Sequence, residues 1–153
     1  MGAKDSKYLE AGDARKDTTL LDDLPILQTF FAPPKQITGL RVWYTTYIVG
    51  LEVFYDYQST GVKFGRESLN AKVGEFVFSP NEHITKLEGR ESKTGIELLI
   101  VRTNMDRSIA FGESVEGSAF ELHHKGWPVT AFKVGVGACV QLLGAIFTNP
   151  LKI

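Results

Sequence analysis

The chain has 153 residues, 43% apolar and 23% charged, with 17 Lys and Arg against 18 Asp and Glu for a formal charge of −1. That composition fits a single globular domain and is wrong for a disordered chain, and the lack of a basic excess leaves no field to grip a nucleic-acid backbone. One cysteine, Cys139, excludes an intramolecular disulfide framework and a cysteine-based structural zinc site, and no apolar run reaches the roughly 18 residues of a membrane helix.

The first 17 residues, MGAKDSKYLEAGDARKD, are polar and contain no apolar stretch of the signal-peptide kind. An intracellular protein, cytoplasmic or cytoskeleton-associated, is the expectation. Met1-Gly2-Ala3-Lys4-Asp5-Ser6 fits the pattern for N-myristoylation, which makes Gly2 a lipidation candidate. One acyl chain binds a membrane only marginally, and Lys4, Lys7, Arg15 and Lys16 are offset by Asp5, Glu10, Asp13 and Asp17. At most weak membrane association follows. Residues 1–11 read as an N-terminal arm, and Ser6 to Ala14 is the one helix candidate, short and with a weak apolar face. The domain is expected over residues 12–150.

Beyond the arm the chain repeats itself. Ile37-Thr38-Gly39-Leu40-Arg41-Val42 recurs as Ile84-Thr85-Lys86-Leu87-Glu88-Gly89 and as Val129-Thr130-Ala131-Phe132-Lys133-Val134. Each copy alternates apolar and polar positions, as a half-buried strand does. Fourteen residues after the start of each copy a second alternating strand is predicted, with Leu51, Val53 and Tyr55, then Leu98, Ile100 and Arg102, then Leu143, Ala145 and Phe147 on one face. Phe64-Gly65-Arg66-Glu67-Ser68 matches Phe111-Gly112-Glu113-Ser114, and an aromatic strand precedes each copy at Phe30-Phe31, Phe76-Val77-Phe78 and Phe120-Glu121-Leu122. Agreement at several offsets marks real internal symmetry.

The unit is about 46 residues and holds about four short strands rich in Val, Ile, Phe, Tyr and Thr, so the class is all-β. Turns fall at Ser79-Pro80-Asn81 and Thr103-Asn104-Met105-Asp106. Three such units can close as a β-prism or as a β-trefoil, whereas propellers typically need at least four blades. The third unit ends before a Phe-Gly segment of its own, so its missing strands must come from the N-terminal side, at Thr19 to Phe31.

These residues resemble the jacalin-related lectins, a β-prism family of three Greek-key sheets. His83 to Ser92, HITKLEGRES, is similar to the family's YITSVEGR strand pair, and Thr103 to Gly112 to its TNKGRTYGPFG stretch. Leu21-Asp22-Asp23 resembles the WDDG strand start, and Gly137 to Ile146 falls on GxYLDAIGVY. The resemblance covers about residues 12 to 150 and favours the prism. It implies a sugar site at one end, built from a glycine-rich N-terminal loop and a G-x-x-x-D loop whose Asp accepts from sugar hydroxyls. Carried onto this chain, the ligand-binding candidates are Gly12, Asp13, Gly137, Ala138, Cys139, Val140 and Gln141. The acid has become Gln141, which loses charge-assisted bonds, and the first loop reads Gly12-Asp13-Ala14-Arg15-Lys16-Asp17. Neither Thr45 to Val49 nor Ser92 to Ile96 contains Gly-x-x-x-Asp. The sugar site reads as degenerate.

No metal site, cofactor or catalytic group is expected. His123 and His124 are adjacent on a strand end and point to opposite faces, as do Asp22 and Asp23. Cys139 has no neighbouring Lys or Arg in sequence to lower its pKa, and there is no nucleophile elbow, phosphate loop or acid pair. The reading is therefore a protein-interaction module or structural subunit of a larger intracellular assembly, with glycan binding of altered specificity as the alternative. Trp43, Tyr44 and Tyr47 are the interaction candidates, since large aromatics are enriched at interface cores.

Overall fold

A computed structural model describes residues 5–13, 19–22, 36–59, 61–65 and 70–152. Twelve strands form among them: β1 (Ser6–Gly12), β2 (Thr19–Asp22), β3 (Ile37–Tyr44), β4 (Ile48–Tyr55), β5 (Val62–Gly65), β6 (Lys72–Val77), β7 (Ile84–Glu91), β8 (Ile96–Thr103), β9 (Ser108–Phe111), β10 (Ser118–Leu122), β11 (Val129–Val136) and β12 (Val140–Thr148). A 3-10 turn at Pro150–Lys152 follows. The strands make three antiparallel four-stranded sheets, ordered β1-β12-β11-β2, β10-β7-β8-β9 and β5-β4-β3-β6. This is the β-prism rather than the trefoil. The three repeated hexamers start β3, β7 and β11, one of the two inner strands of each sheet.

Each inner hairpin turns one apolar face inward. Leu40, Val42, Leu51 and Val53 meet Leu87, Leu99 and Val101, and Phe132, Val134, Leu143 and Ala145 close the third side. Phe64 and Phe111, from the matching outer strands β5 and β9, are fully buried with them. Burial of a side chain of this size contributes roughly 2–3 kcal/mol.

The repeated threonine has a physical reason. The pairing slips between Ile37 and Gly39, between Ile84 and Lys86, and between Val129 and Ala131, so Thr38, Thr85 and Thr130 each sit at a bulge. A bulge leaves backbone groups unpaired, and a hydroxyl can meet them. Thr38 Oγ1 accepts from the Tyr57 N–H at 2.9 Å, and Thr130 Oγ1 shares a 2.6 Å hydrogen bond with Thr148 Oγ1.

Three expectations need correction. Residues 6–11 are not an arm: Ser6–Gly12 is β1, paired with β12 from Ser6↔Thr148 to Gly12↔Leu142. As an edge strand it needs little apolar surface, and it buries only Ala11 fully. The third unit's missing strands are thus β1 and β2, of which only β2 falls in the expected Thr19 to Phe31 segment. The predicted inward face of the second copy is also one residue out. Leu99, Val101 and Thr103 are buried there, while Leu98 and Ile100 are half-buried and Arg102 is exposed. The turn Ser92–Gly95 has one residue more than its counterparts at Thr45–Tyr47 and Gly137–Cys139, and a one-residue slip swaps the faces of a strand. Gly2, residues 14–18 and residues 23–35 lie outside the described residues.

At one end of the prism Glu82, fully buried, fastens the β6–β7 connection to the β8–β9 turn. Its carboxylate accepts from the Ser79 N–H at 2.9 Å, from Thr103 Oγ1 at 2.6 Å and from Arg107 at 2.6 Å. Burial pushes its pKa up, but the bonds from Thr103 and Ser79 and the Arg107 charge outweigh it, and the net direction is down. At the opposite end the outer strands β1 and β5 finish on a glycine at positive φ, Gly12 at +85° and Gly65 at +79°, and β9 is followed by another, Gly112 at +105°. A Cβ on any of them would come inside 3.0 Å of a carbonyl oxygen, of Gln141, Val49 or Glu97 respectively.

Two outcomes are expected. Gly112→Ala should cost about 2 kcal/mol, lowering Tm by about 4–8 °C at this size. Gly126→Ala is the comparison, because Gly126 has φ +70° and open space around its Cβ position; an equal loss there would show that strain alone, not the close approach, sets the cost. Because the Glu82 pKa is lower folded than unfolded, its contribution is fully present above the ordinary carboxylate value of 4.5 and is lost as pH falls through the folded value. Glu82→Gln should therefore cost about 2 kcal/mol at pH 7 and flatten the decline of stability below about pH 4.5. Urea unfolding as a function of pH measures both, and an unchanged slope would contradict the assignment.

Candidate functional site

The glycine end of the prism carries the three hairpin turns of the inner strands. Each inner hairpin has a second bulge here. Gly135 pairs with Leu142 and Val136 with Val140, so Gln141 is the extra residue. Trp43 pairs with Gly50 and Tyr44 with Ile48, leaving out Val49. Arg90 pairs with Leu98 and Glu91 with Ile96, leaving out Glu97. Val49, Glu97 and Gln141 are thus symmetry equivalents, and a bulge next to a turn re-aims the side chain it carries.

At the Gln141 position the structure brings the sequence-derived candidates together. The Asp13 N–H donates to the Gln141 carbonyl at 3.1 Å, and the Gly137 N–H to the Cys139 carbonyl at 2.9 Å. Of the candidates, Asp13 and Ala138 are exposed, Gly12 and Gly137 are half-buried, and Cys139, Val140 and Gln141 are buried. Gln141 is only 5% exposed. Its amide lies over Gly137, with nitrogen and oxygen 2.8 and 2.9 Å from where a Cβ would stand. The Cys139 thiol faces the Thr94 carbonyl at 3.4 Å across two turns, which is a packing contact. The Gly12 N–H donates to Glu91 Oε2 at 2.6 Å.

Glu97 was missed by the sequence reading. The window Ser92 to Ile96 stops one residue short of it, the same slip that inverts the face of β8, and the pattern sought was Asp after Gly. Glu97 is 7% exposed and lines an open pocket of about 540 Å³ between the second and third sheets, together with Tyr44, Thr45, Lys72, Glu113 and Ser114. Ser114 Oγ donates to Glu97 Oε1 at 3.1 Å. Lys72 binds Glu113 at 2.6 Å, and that hydrogen bond and charge raise the lysine's pKa.

The aromatic candidates divide. Trp43 is buried, and the Arg41 guanidinium lies 6.0 Å from its ring centroid. At 9% exposure it offers little contact surface. Tyr44 and Tyr47 are half-buried, and Tyr57, not singled out from sequence, is the exposed aromatic of this sheet. His123 meets Glu121 at 3.0 Å. His124 stands edge-on to Trp127 at 4.7 Å, and burial followed by the charge of Lys125 lowers its pKa. Among the described residues no group of three or more His, Cys, Asp or Glu is placed to hold a metal.

Comparison with known proteins follows the geometry. The family model described as a jacalin-like lectin domain matches residues 27–146. No curated protein shows significant sequence similarity to the chain. Among solved structures, the chain is similar to a mannose-specific jacalin-related lectin from Morus nigra in complex with mannose, at 18% identity over 97% of each chain with a TM-score of 0.74. A prostate-specific WGA16 glycoprotein lectin is 22% identical over 87% of this chain and 92% of its own, with a TM-score of 0.71. A mannose-binding lectin from champedak is 19% identical over 96% and 99%, with a TM-score of 0.73. Sharing the family's sequence pattern through most of its length and the prism through nearly all of it, the chain belongs to the jacalin-like lectin family.

Proposed function

We propose that this chain is a non-catalytic protein-interaction module, a subunit of a larger assembly, in which the sugar position of the jacalin-like frame is no longer used. The observation that carries this is Gln141. A carboxylate at that bulge could accept two sugar hydroxyls at once, whereas here a neutral amide is folded down over Gly137 and nearly closed to solvent. The adjoining backbone donor of Gly12 is already held by Glu91. Glycan binding with altered specificity is the second reading, favoured by the exposed Asp13 and Ala138 on the same pair of loops.

Two measurements separate them. Methyl α-mannoside, titrated to about 10 mM and followed by amide NMR, should leave the signals of Gly12, Asp13 and Gly137 to Gln141 unmoved; saturable shifts below about 1 mM, some 4 kcal/mol of binding, would establish the lectin reading instead. Co-purification from the native source should return a stoichiometric protein partner, and a monomer recovered alone would count against the assembly. Acylation of Gly2, with weak membrane contact in a cytoplasmic or cytoskeletal setting, belongs to the same proposal. Intact-mass measurement of the native N-terminus should find the acyl group, and a bare Gly2 removes it.

A further inference from the structure

We infer that the pocket between the second and third sheets is a receptor for a cationic side chain, arginine or lysine, presented by a protein partner. The nature of the partner rests on the protein-binding reading above; the charge of the ligand rests on the pocket alone.

Three carboxylates are buried among the described residues: Glu52, Glu82 and Glu97. Burying a carboxylate is costly unless a cation or a full set of donors compensates it. Glu52 has the Arg41 guanidinium at 3.4 Å and the Gly61 N–H at 3.0 Å. Glu82 has Arg107 at 2.6 Å and two further donors. Glu97 has one neutral hydroxyl, Ser114 Oγ on Oε1, and that hydroxyl is itself held by the Glu116 N–H at 3.1 Å. Among the described residues its second oxygen, Oε2, has no hydrogen-bond partner, and it keeps contact with solvent, since no buried side-chain oxygen there is left unsatisfied. Oε2 lies 2.8 Å from where a Cβ on residue 117 would stand, so a side chain at that glycine, at φ +81°, would crowd it.

The surroundings have the same sign. Among the described lining residues Glu113 and Glu116 stand with Glu97, against the one lysine, Lys72, which is already committed to Glu113. Thr45 and Thr46 add polar groups, and Tyr44 is a residue type on which a guanidinium stacks. A volume of about 540 Å³ accommodates a long side chain with room for water. An entering guanidinium or ammonium would give Glu97 the cation that Glu52 and Glu82 already have. A neutral sugar would leave the net negative charge of the described lining unanswered, which favours the cation.

The test uses the whole chain and small probes. N-acetyl-arginine methylamide, titrated under amide NMR, should shift the signals of Glu97, Ser114 and Tyr44 saturably, and the shifts should weaken as salt is raised. The citrulline analogue, the same shape without the charge, should not shift them. Glu97→Gln should weaken the arginine probe about tenfold, the worth of one charge-assisted hydrogen bond. Lys72→Met, at a lysine whose side chain is 65% exposed, should tighten it about threefold by removing the competing cation, and decides the matter if Glu97→Gln does not fold. Equal shifts by both probes, indifference to a folded Glu97→Gln, or weaker binding in Lys72→Met overturns the proposal. So does methyl α-mannoside moving these same signals while the arginine probe moves none. A failed probe titration leaves the mannoside and co-purification results at the Gln141 loops untouched, so the two readings fail separately.

Discussion

One backbone contact, made three times, sets the form of this end of the prism. On the second strand of each inner hairpin an extra residue, Val49, Glu97 or Gln141, pushes its carbonyl toward the end of the neighbouring outer strand, and a glycine at positive φ lies against it. The bulge ends the regular ladder and bends the strand into its turn. Both halves of the contact are backbone, so the side chain of the bulged residue is not asked to hold the fold. It is left over for something else, and the three positions hold a valine, a glutamate and a glutamine.

How much of this could be read from the sequence follows from what each feature costs in side chains. The inner hairpins were legible because they bury a whole face, and alternation of Leu40 and Val42 or of Phe132 and Val134 cannot be disguised. The Phe-Gly pairs were legible for the same reason, since Phe64 and Phe111 fill the core. The first strand was not. Its glycine, Gly12, follows Ala11 rather than a phenylalanine, and an edge strand with Lys7, Tyr8 and Glu10 exposed has the composition of a solvated tail. Pairing with β12 makes it a strand, and pairing partners are a property of the closed barrel.

The candidate site was legible in position and not in state. Gln141 could be found by counting from Gly137, but its burial over that glycine depends on how the two loops pack. Glu97 was lost to a single residue. The longer turn at Ser92–Gly95 shifts the second copy out of step, so a search at constant spacing meets Ile96 where the acid should be. The same shift exchanges Leu98 and Ile100 for Leu99 and Val101 on the inward face. Spacing is a reliable guide to chemistry only as far as the turns keep their length, and turns are where the chain tolerates an extra residue.

Separation of frame from side chain also explains how the chain can match solved prisms at TM-scores of 0.71 to 0.74 with identities of 18 to 22%. The frame needs an apolar alternation, a threonine at one bulge and a glycine opposite the other, and many sequences supply those. Exchange of an acid for an amide at the bulge changes what the end of the prism can hold while leaving the carbonyl-to-glycine contact intact. Symmetry then gives the same frame two more places to put an acid. In this chain the carboxylate stands in the second sheet, at Glu97, and the neighbours that surround it there include Glu113 and Glu116 rather than an open glycine-rich loop. An acid flanked by acids selects for charge, whereas an acid flanked by backbone donors selects for hydroxyls that both give and accept. The fold is therefore shared with the lectins, while its three equivalent bulges carry different side chains here, Val49, Glu97 and Gln141.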